Sequence, residues 1–129
     1  MKILARLLLG VWWIVCLVPQ GALAGSASFD RAAFDKAVAA GGPVVLQFHA
    51  DWCPTCKEQA PLITQILKEP KMKDVKFFAA DFDTEKALEK SLNVSMQSTF
   101  VVFKGGKEVT RSTGQTTRDA IEQTFSKAL

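Results

Sequence analysis

Two cysteines three positions apart, Cys53 and Cys56, stand where a short apolar run gives way to a helical pattern. Val44 to Phe48, bounded by Pro43, reads as a buried strand. A helical segment opens at Cys53 and runs to about Lys68, with Pro61 inside it as an expected kink. The first cysteine is thereby placed at a helix N-terminus, where unpaired N–H groups and the helix dipole stabilise an anion. The thiolate is the nucleophile in disulfide exchange, so this placement raises reactivity at neutral pH. Cys56 falls one turn further along, close enough to attack a mixed disulfide on Cys53 and release the partner. The same spacing permits a closed Cys53–Cys56 disulfide.

The rest of the pattern supplies a frame for that junction. From Asp30 to Ala40, apolar Ala33, Phe34, Ala37 and Val38 recur at helical spacing, and Gly41-Gly42-Pro43 ends the segment. Val75 to Ala80 reads as a second buried strand, and Thr84 to Ser91 as a short helix with Ala87 and Leu88 inward. Thr99 to Phe103 reads as a third strand. Gly105-Gly106 is a hairpin turn signal, with Glu108 to Ser112 returning antiparallel. Thr116 or Thr117 can cap a last helix whose Ile121, Phe125 and Ala128 share one face. Strands alternating with helices predict an α/β domain, a central sheet with helices on both faces. The closing hairpin makes that sheet mixed. A chain of 129 residues, 48% hydrophobic, is enough for one such domain.

Residues 1–24 have the pattern of a secretory signal peptide, leaving 25–129 as the folded domain. Lys2 and Arg6 give a positive start, Leu7 to Val18 an apolar run, Pro19 a break, and Ala22-Leu23-Ala24 a small-x-small cleavage site. The run is short of the ~20 residues needed to span a bilayer, so no stable membrane insertion is expected after cleavage. Cleavage would remove two of the 16 basic residues and none of the 13 acidic ones, taking the net charge from +3 to +1. Nothing then remains to steer nucleic acid or an anionic membrane. Cleavage would also remove Cys16, leaving one Cys-x-x-Cys pair in an exported protein. A structural disulfide framework needs more cysteines at wider spacing. The pair is therefore redox-active or half a metal site. Structural zinc usually takes four protein ligands, and His49 is the chain's one histidine.

The match extends beyond the cysteines. Phe48-His49-Ala50-Asp51-Trp52-Cys53-Pro54-Thr55-Cys56-Lys57, Pro61, Thr99 to Phe103, Lys104-Gly105-Gly106-Lys107 and Gly114 resemble the thioredoxin family over nearly all of residues 29–129. The resemblance implies a minimal thioredoxin-like fold and thiol–disulfide exchange with disulfide-bearing protein substrates, without an organic cofactor or a bound metal. Cys53 would attack and Cys56 resolve, framed by Trp52, Pro54, Thr55, Gln47, Gln97 and Ser98. Trp52 would shape the rim, with Ser98 and Gln97 facing the incoming chain. Ala50-Asp51-Trp52-Cys53 with Cys56-Lys57-Glu58 is similar to the C-terminal domain of a transmembrane disulfide-reductant conveyor. Pro54-Thr55 is similar to thioredoxin-like proteins of cytochrome c maturation. Both imply a reductase outside the cytoplasm, in the periplasm, monomeric and fed by a membrane-embedded thiol donor. The alternatives are a disulfide-forming oxidant, or a metal or metal–sulfur protein using Cys53 and Cys56.

The chain departs from the family at three places. Ser98 stands where the family has a cis-proline facing the cysteines. A cis bond before a non-proline residue costs ~3 kcal/mol, so a trans Gln97–Ser98 bond is expected, with the Ser98 side chain near Cys53. Gln47 stands where many relatives bury an acid, and it cannot take up a proton as a base. Ala79 stands where a lysine often accompanies that acid. His49, four residues before Cys53, reads as a packed or half-exposed residue in preference to a thiolate partner.

Overall fold

The structure, a computed structural model, describes residues 28–129. The signal segment expected at residues 1–24, with its cleavage site, lies outside the described residues. The elements in chain order are α1 (Arg31–Ala39), β1 (Val44–His49), α2 (Pro54–Leu67), a short 3-10 turn (Pro70–Met72), β2 (Lys76–Asp81), α3 (Lys86–Leu92), β3 (Thr99–Lys104), β4 (Lys107–Thr113) and α4 (Arg118–Ser126). The order is the expected one, with the 3-10 turn added. Asp30 caps α1 by accepting the Ala33 N–H at 3.0 Å, and Thr117 caps α4 by accepting that of Ala120. Pro61 sits within α2 without ending it.

The four strands form one mixed sheet in the order β2-β1-β3-β4. β1 and β2 run parallel and are joined through α2, whereas β3 is antiparallel to both its neighbours, β1 and β4. Alternation along the two central strands feeds two cores. Val44, Leu46 and Phe48 join Val101 and Phe103 on one face, beneath Phe34 of α1 and Leu88 of α3. Val45, Phe100 and Val102 point the other way, against Ile63 and Ile66 of α2 and Ile121 and Phe125 of α4. Burial on both faces explains why β1 and β3 read as unbroken apolar runs. Full burial of each such side chain stabilises by roughly 1.5–3 kcal/mol.

Two expectations are corrected at the periphery. β2 is an edge strand in which Ala80 alone is fully buried; Phe77 and Phe78 are half-buried and pack at the rim of opposite cores. In α3 the inward pair is Leu88 and Glu89, while Ala87 is exposed. The Glu89 carboxylate is paired with the Lys86 ammonium at 3.3 Å, which allows the acid to take the inner position. The hairpin turn closes on α1: Gly105 donates its N–H to the Gly41 carbonyl at 3.0 Å. Gly41 has φ 78°, a backbone region where an L side chain is strained.

Register then assembles the site. Phe48 pairs with Thr99, so the turn before β3 comes level with the end of β1, and Ser98 donates its N–H to the Phe48 carbonyl at 2.8 Å.

Candidate active site

The end of β1, the first turn of α2 and the turn into β3 converge on the two cysteines. Cys53 is the N-cap of α2: its backbone is extended and its Sγ accepts the Cys56 N–H at 3.3 Å. Pro54 takes the first helical position, where its missing N–H has no intrahelical partner to lose and its fixed φ starts the helix directly behind the thiol. Both cysteines are free thiols. Cys53 retains 2% of its surface and Cys56 none, so the first cysteine is nearer solvent but less open than an exposed nucleophile.

Ser98 completes the centre. No peptide bond among the described residues is cis, so Gln97–Ser98 is trans. Ser98 itself has φ 60°, a left-handed conformation that costs a non-glycine residue on the order of 1–3 kcal/mol. Three bonds hold it there: its N–H to the Phe48 carbonyl, and its carbonyl to the Gly114 N–H at 3.0 Å and the Gln59 side-chain amide at 3.4 Å. Its hydroxyl consequently lies 3.1 Å from Cys53 Sγ and 3.0 Å from Cys56 Sγ.

This environment separates the two thiols. Burial alone would raise the pKa of Cys53. The Ser98 hydroxyl and the N–H groups of Cys56 and Thr55 stabilise its thiolate more, leaving it below the ordinary thiol value. Burial pushes Cys56 up; the Ser98 hydroxyl and a contact with the Ala50 backbone offset this in part, and the charge of Cys53 adds to it. The Cys53 thiol thus ionises more readily than the Cys56 thiol.

The remaining expected residues divide. Trp52 is 56% exposed, and its indole N–H donates to Asp83 at 2.8 Å, fixing the ring at the rim. Thr55 is half-buried on the first turn of α2. Gln97 is half-buried and Ser98 3% exposed, so Ser98 turns inward onto the sulfurs and does not face an incoming chain. Met96, two residues earlier, is 55% exposed. Gln47 is buried and level with Ala79 on β2, which is exposed. His49 pairs with Asp51 at 3.0 Å, in keeping with a half-exposed structural histidine. Among the described residues no cluster of three or more His, Cys, Asp or Glu is placed to hold a metal ion.

Gln59 was not singled out from the sequence. It is fully buried beneath the cysteines, accepts from Gln47 Nε2 at 2.9 Å, and donates to the carbonyls of Gln115 at 2.9 Å and Ser98. The signal was there: Cys56, Gln59, Ile63 and Ile66 share the buried stripe of α2, and a glutamine in such a stripe needs a buried partner.

The thioredoxin family model matches residues 26–127 of this chain. Thioredoxin-2 of Saccharomyces cerevisiae is 38% identical over 82 residues, covering 63% of this chain and 77% of the relative. Thioredoxin H-type 1 of Nicotiana tabacum is 37% identical over 94 residues, covering 73% and 72%. Among solved structures, Trxlp from Edwardsiella tarda superposes with a TM-score of 0.72 at 40% identity, covering 74% of this chain and 93% of that one.

Proposed function

Because this chain belongs to the thioredoxin family and is a thiol–disulfide oxidoreductase, we propose that Cys53 attacks the disulfides of protein substrates and Cys56 resolves the mixed disulfide. Thioredoxins act on disulfide-bearing proteins. The observation that carries the assignment is the Cys56 N–H directed at Cys53 Sγ from the start of α2, with Cys56 buried beneath it. Attack forms a bond from Cys53 Sγ to one substrate sulfur and expels the other as a thiolate. Cys56 then attacks Cys53 Sγ, the internal disulfide forms, and the first substrate sulfur departs. The cysteine pair loses two electrons and the substrate disulfide gains them.

The direction is reductive, the chain acts outside the cytoplasm as a monomer after cleavage behind Ala24, and a membrane-embedded thiol donor returns it to the dithiol. The signal pattern of residues 1–24 and the likeness of Asp51 to Glu58 to reductant domains support this reading. Equilibration of the mature protein against thiol–disulfide buffers of known poise tests the direction. A potential near the ~−270 mV of thioredoxin is expected; one near the ~−120 mV of the periplasmic oxidant would reverse it. Mass spectrometry of protein recovered from the periplasm tests export, with a chain starting at Gly25 expected.

A further inference from the structure

We propose that the Ser98 hydroxyl sets the redox balance of the cysteine pair: it bonds to both sulfurs in the dithiol, loses the strength of those bonds in the disulfide, and so shifts the equilibrium toward the reduced protein. This role rests on the thiol–disulfide exchange reading of the site.

The two redox states differ in what they offer the hydroxyl. A hydroxyl carries one proton and two acceptor lone pairs. Ser98 Oγ lies 3.1 Å from Cys53 Sγ and 3.0 Å from Cys56 Sγ, with both cysteines free. One thiol proton and the hydroxyl proton suffice to make both contacts hydrogen bonds. Cys53 Sγ already accepts the Cys56 N–H, which marks it as the acceptor. Cys56 S–H therefore donates to Ser98 Oγ, and Ser98 O–H donates to Cys53 Sγ. The second bond is charge-assisted whenever Cys53 is a thiolate, and such bonds are roughly twice as strong as neutral ones. Oxidation joins the two sulfurs and removes two electrons, the Cys56 proton and the Cys53 charge. The sulfurs then have no proton to donate, and a neutral sulfur is a weak acceptor.

The hydroxyl has little to compensate it in the disulfide. Ser98 is 3% exposed, and among the described residues its Oγ bonds to the two sulfurs alone. The backbone that carries it is fixed by the Phe48 carbonyl, the Gly114 N–H and the Gln59 amide, none of which changes on oxidation. A buried hydroxyl with weakened partners is costly, and that cost falls on the oxidised form. The other polar groups around the pair are engaged elsewhere. Gln47 and Gln59 bond to each other and Gln59 to backbone carbonyls. His49 and Asp51 are paired, Asp83 accepts from Trp52, and Asp81 accepts the Asp83 N–H. Lys57 and Glu58 are exposed on α2, and Val94 to Ser98 carries no titratable side chain. The hydroxyl thus makes the dithiol a milder reductant than the same pair without it. It also makes the internal disulfide left by each turnover easier for a thiol donor to reduce.

Equilibration with glutathione buffers of stepped ratio at neutral pH, quenched in acid and alkylated, with the reduced and oxidised fractions read by mass, tests the role. In that reaction the Cys53–Cys56 bond forms and the bond of glutathione disulfide breaks. Two glutathione thiols are released, taking the Cys56 proton and either the Cys53 proton or, where Cys53 starts as a thiolate, one from solvent. Ser98→Gly removes the hydroxyl and suits the positive φ, and Ser98→Ala removes it while keeping Cβ. In both variants the equilibrium constant for closing the disulfide should rise on the order of tenfold, a potential ~30 mV more negative. The ultraviolet absorbance of the Cys53 thiolate, titrated in the reduced proteins, should appear at higher pH in both. An equilibrium constant unchanged or lowered in either variant, or a thiolate that titrates no higher than in wild type, would overturn the role of Ser98 and leave the exchange reading standing. A wild-type protein that forms no Cys53–Cys56 disulfide at any buffer ratio would overturn the exchange reading itself, and this role with it.

Discussion

Gln47 on β1 donates its side-chain amide to Gln59 on α2 at 2.9 Å, and both residues are buried. This bond joins sheet and helix under the cysteines, in the place where the family resemblance leads one to expect an acid. Gln59 passes the connection on to the carbonyls of Ser98 and Gln115, so a neutral network supports the turn that carries the serine.

Breaking that network should destabilise the fold unequally. Gln47→Leu strands one acceptor on Gln59 and should cost about 1–3 kcal/mol. Gln59→Leu strands the Gln47 amide and the Gln115 carbonyl together and should cost more. Urea unfolding of the reduced proteins measures both, with the Gln59 variant expected to have the lower midpoint.

The opposed thiol pKa shifts set a pH signature on the stability of the reduced protein. Cys53 is depressed, so between its folded pKa and the ordinary thiol value of about 8.5 the unfolded chain binds more protons, and stability rises with pH. Cys56 is raised, so above that value the folded chain binds more protons, and stability falls as pH rises towards the folded Cys56 pKa. Denaturation midpoints across this range should pass through a maximum. Cys53→Ser should remove the rising limb and Cys56→Ser the falling one.

Trp52 and Met96 are large, apolar and more than half exposed, one at the end of the loop from β1 and the other just ahead of Ser98. Neither is part of the core. Trp52→Ala and Met96→Ser should change the thermal midpoint little, yet raise KM for protein disulfides several-fold, since side chains at such rims contribute packing to a partner. A small aromatic disulfide serves as the control, with its rate constant expected to stay close to wild type.

Much of this was legible in the residues because the physics was local or symmetric. β1 and β3 are buried on both faces, so their apolar runs could be read without knowing the neighbours. Cys53 at the start of α2 followed from a strand ending and a helix beginning within a few residues. The misread positions depend on tertiary context. Val75 to Ala80 has the apolar content of a buried strand, but its place at the sheet edge was set by strand order. Ala87 was expected inward beside Leu88, but Glu89 takes that place, paired with Lys86 at 3.3 Å. Ser98 was expected near Cys53, and the trans bond followed from the cost of cis. Its inward aim depends on a φ of 60°, which residue type alone does not signal. Gln59 escaped notice because its partner, Gln47, lies 12 residues away on another element.

The division of labour between Cys53 and Cys56 is tested most directly by trapping. Reduced Cys56→Ser and Cys53→Ser proteins would each be mixed with a protein disulfide, quenched in acid and resolved on a non-reducing gel. The Cys56→Ser protein should accumulate a stable mixed disulfide through Cys53, because the attacking sulfur remains and the resolving one is gone. The Cys53→Ser protein should trap little, because its remaining thiol is buried and its pKa raised. Equal trapping by the two variants, or trapping by Cys53→Ser alone, would contradict the assignment of Cys53 as nucleophile and Cys56 as resolver.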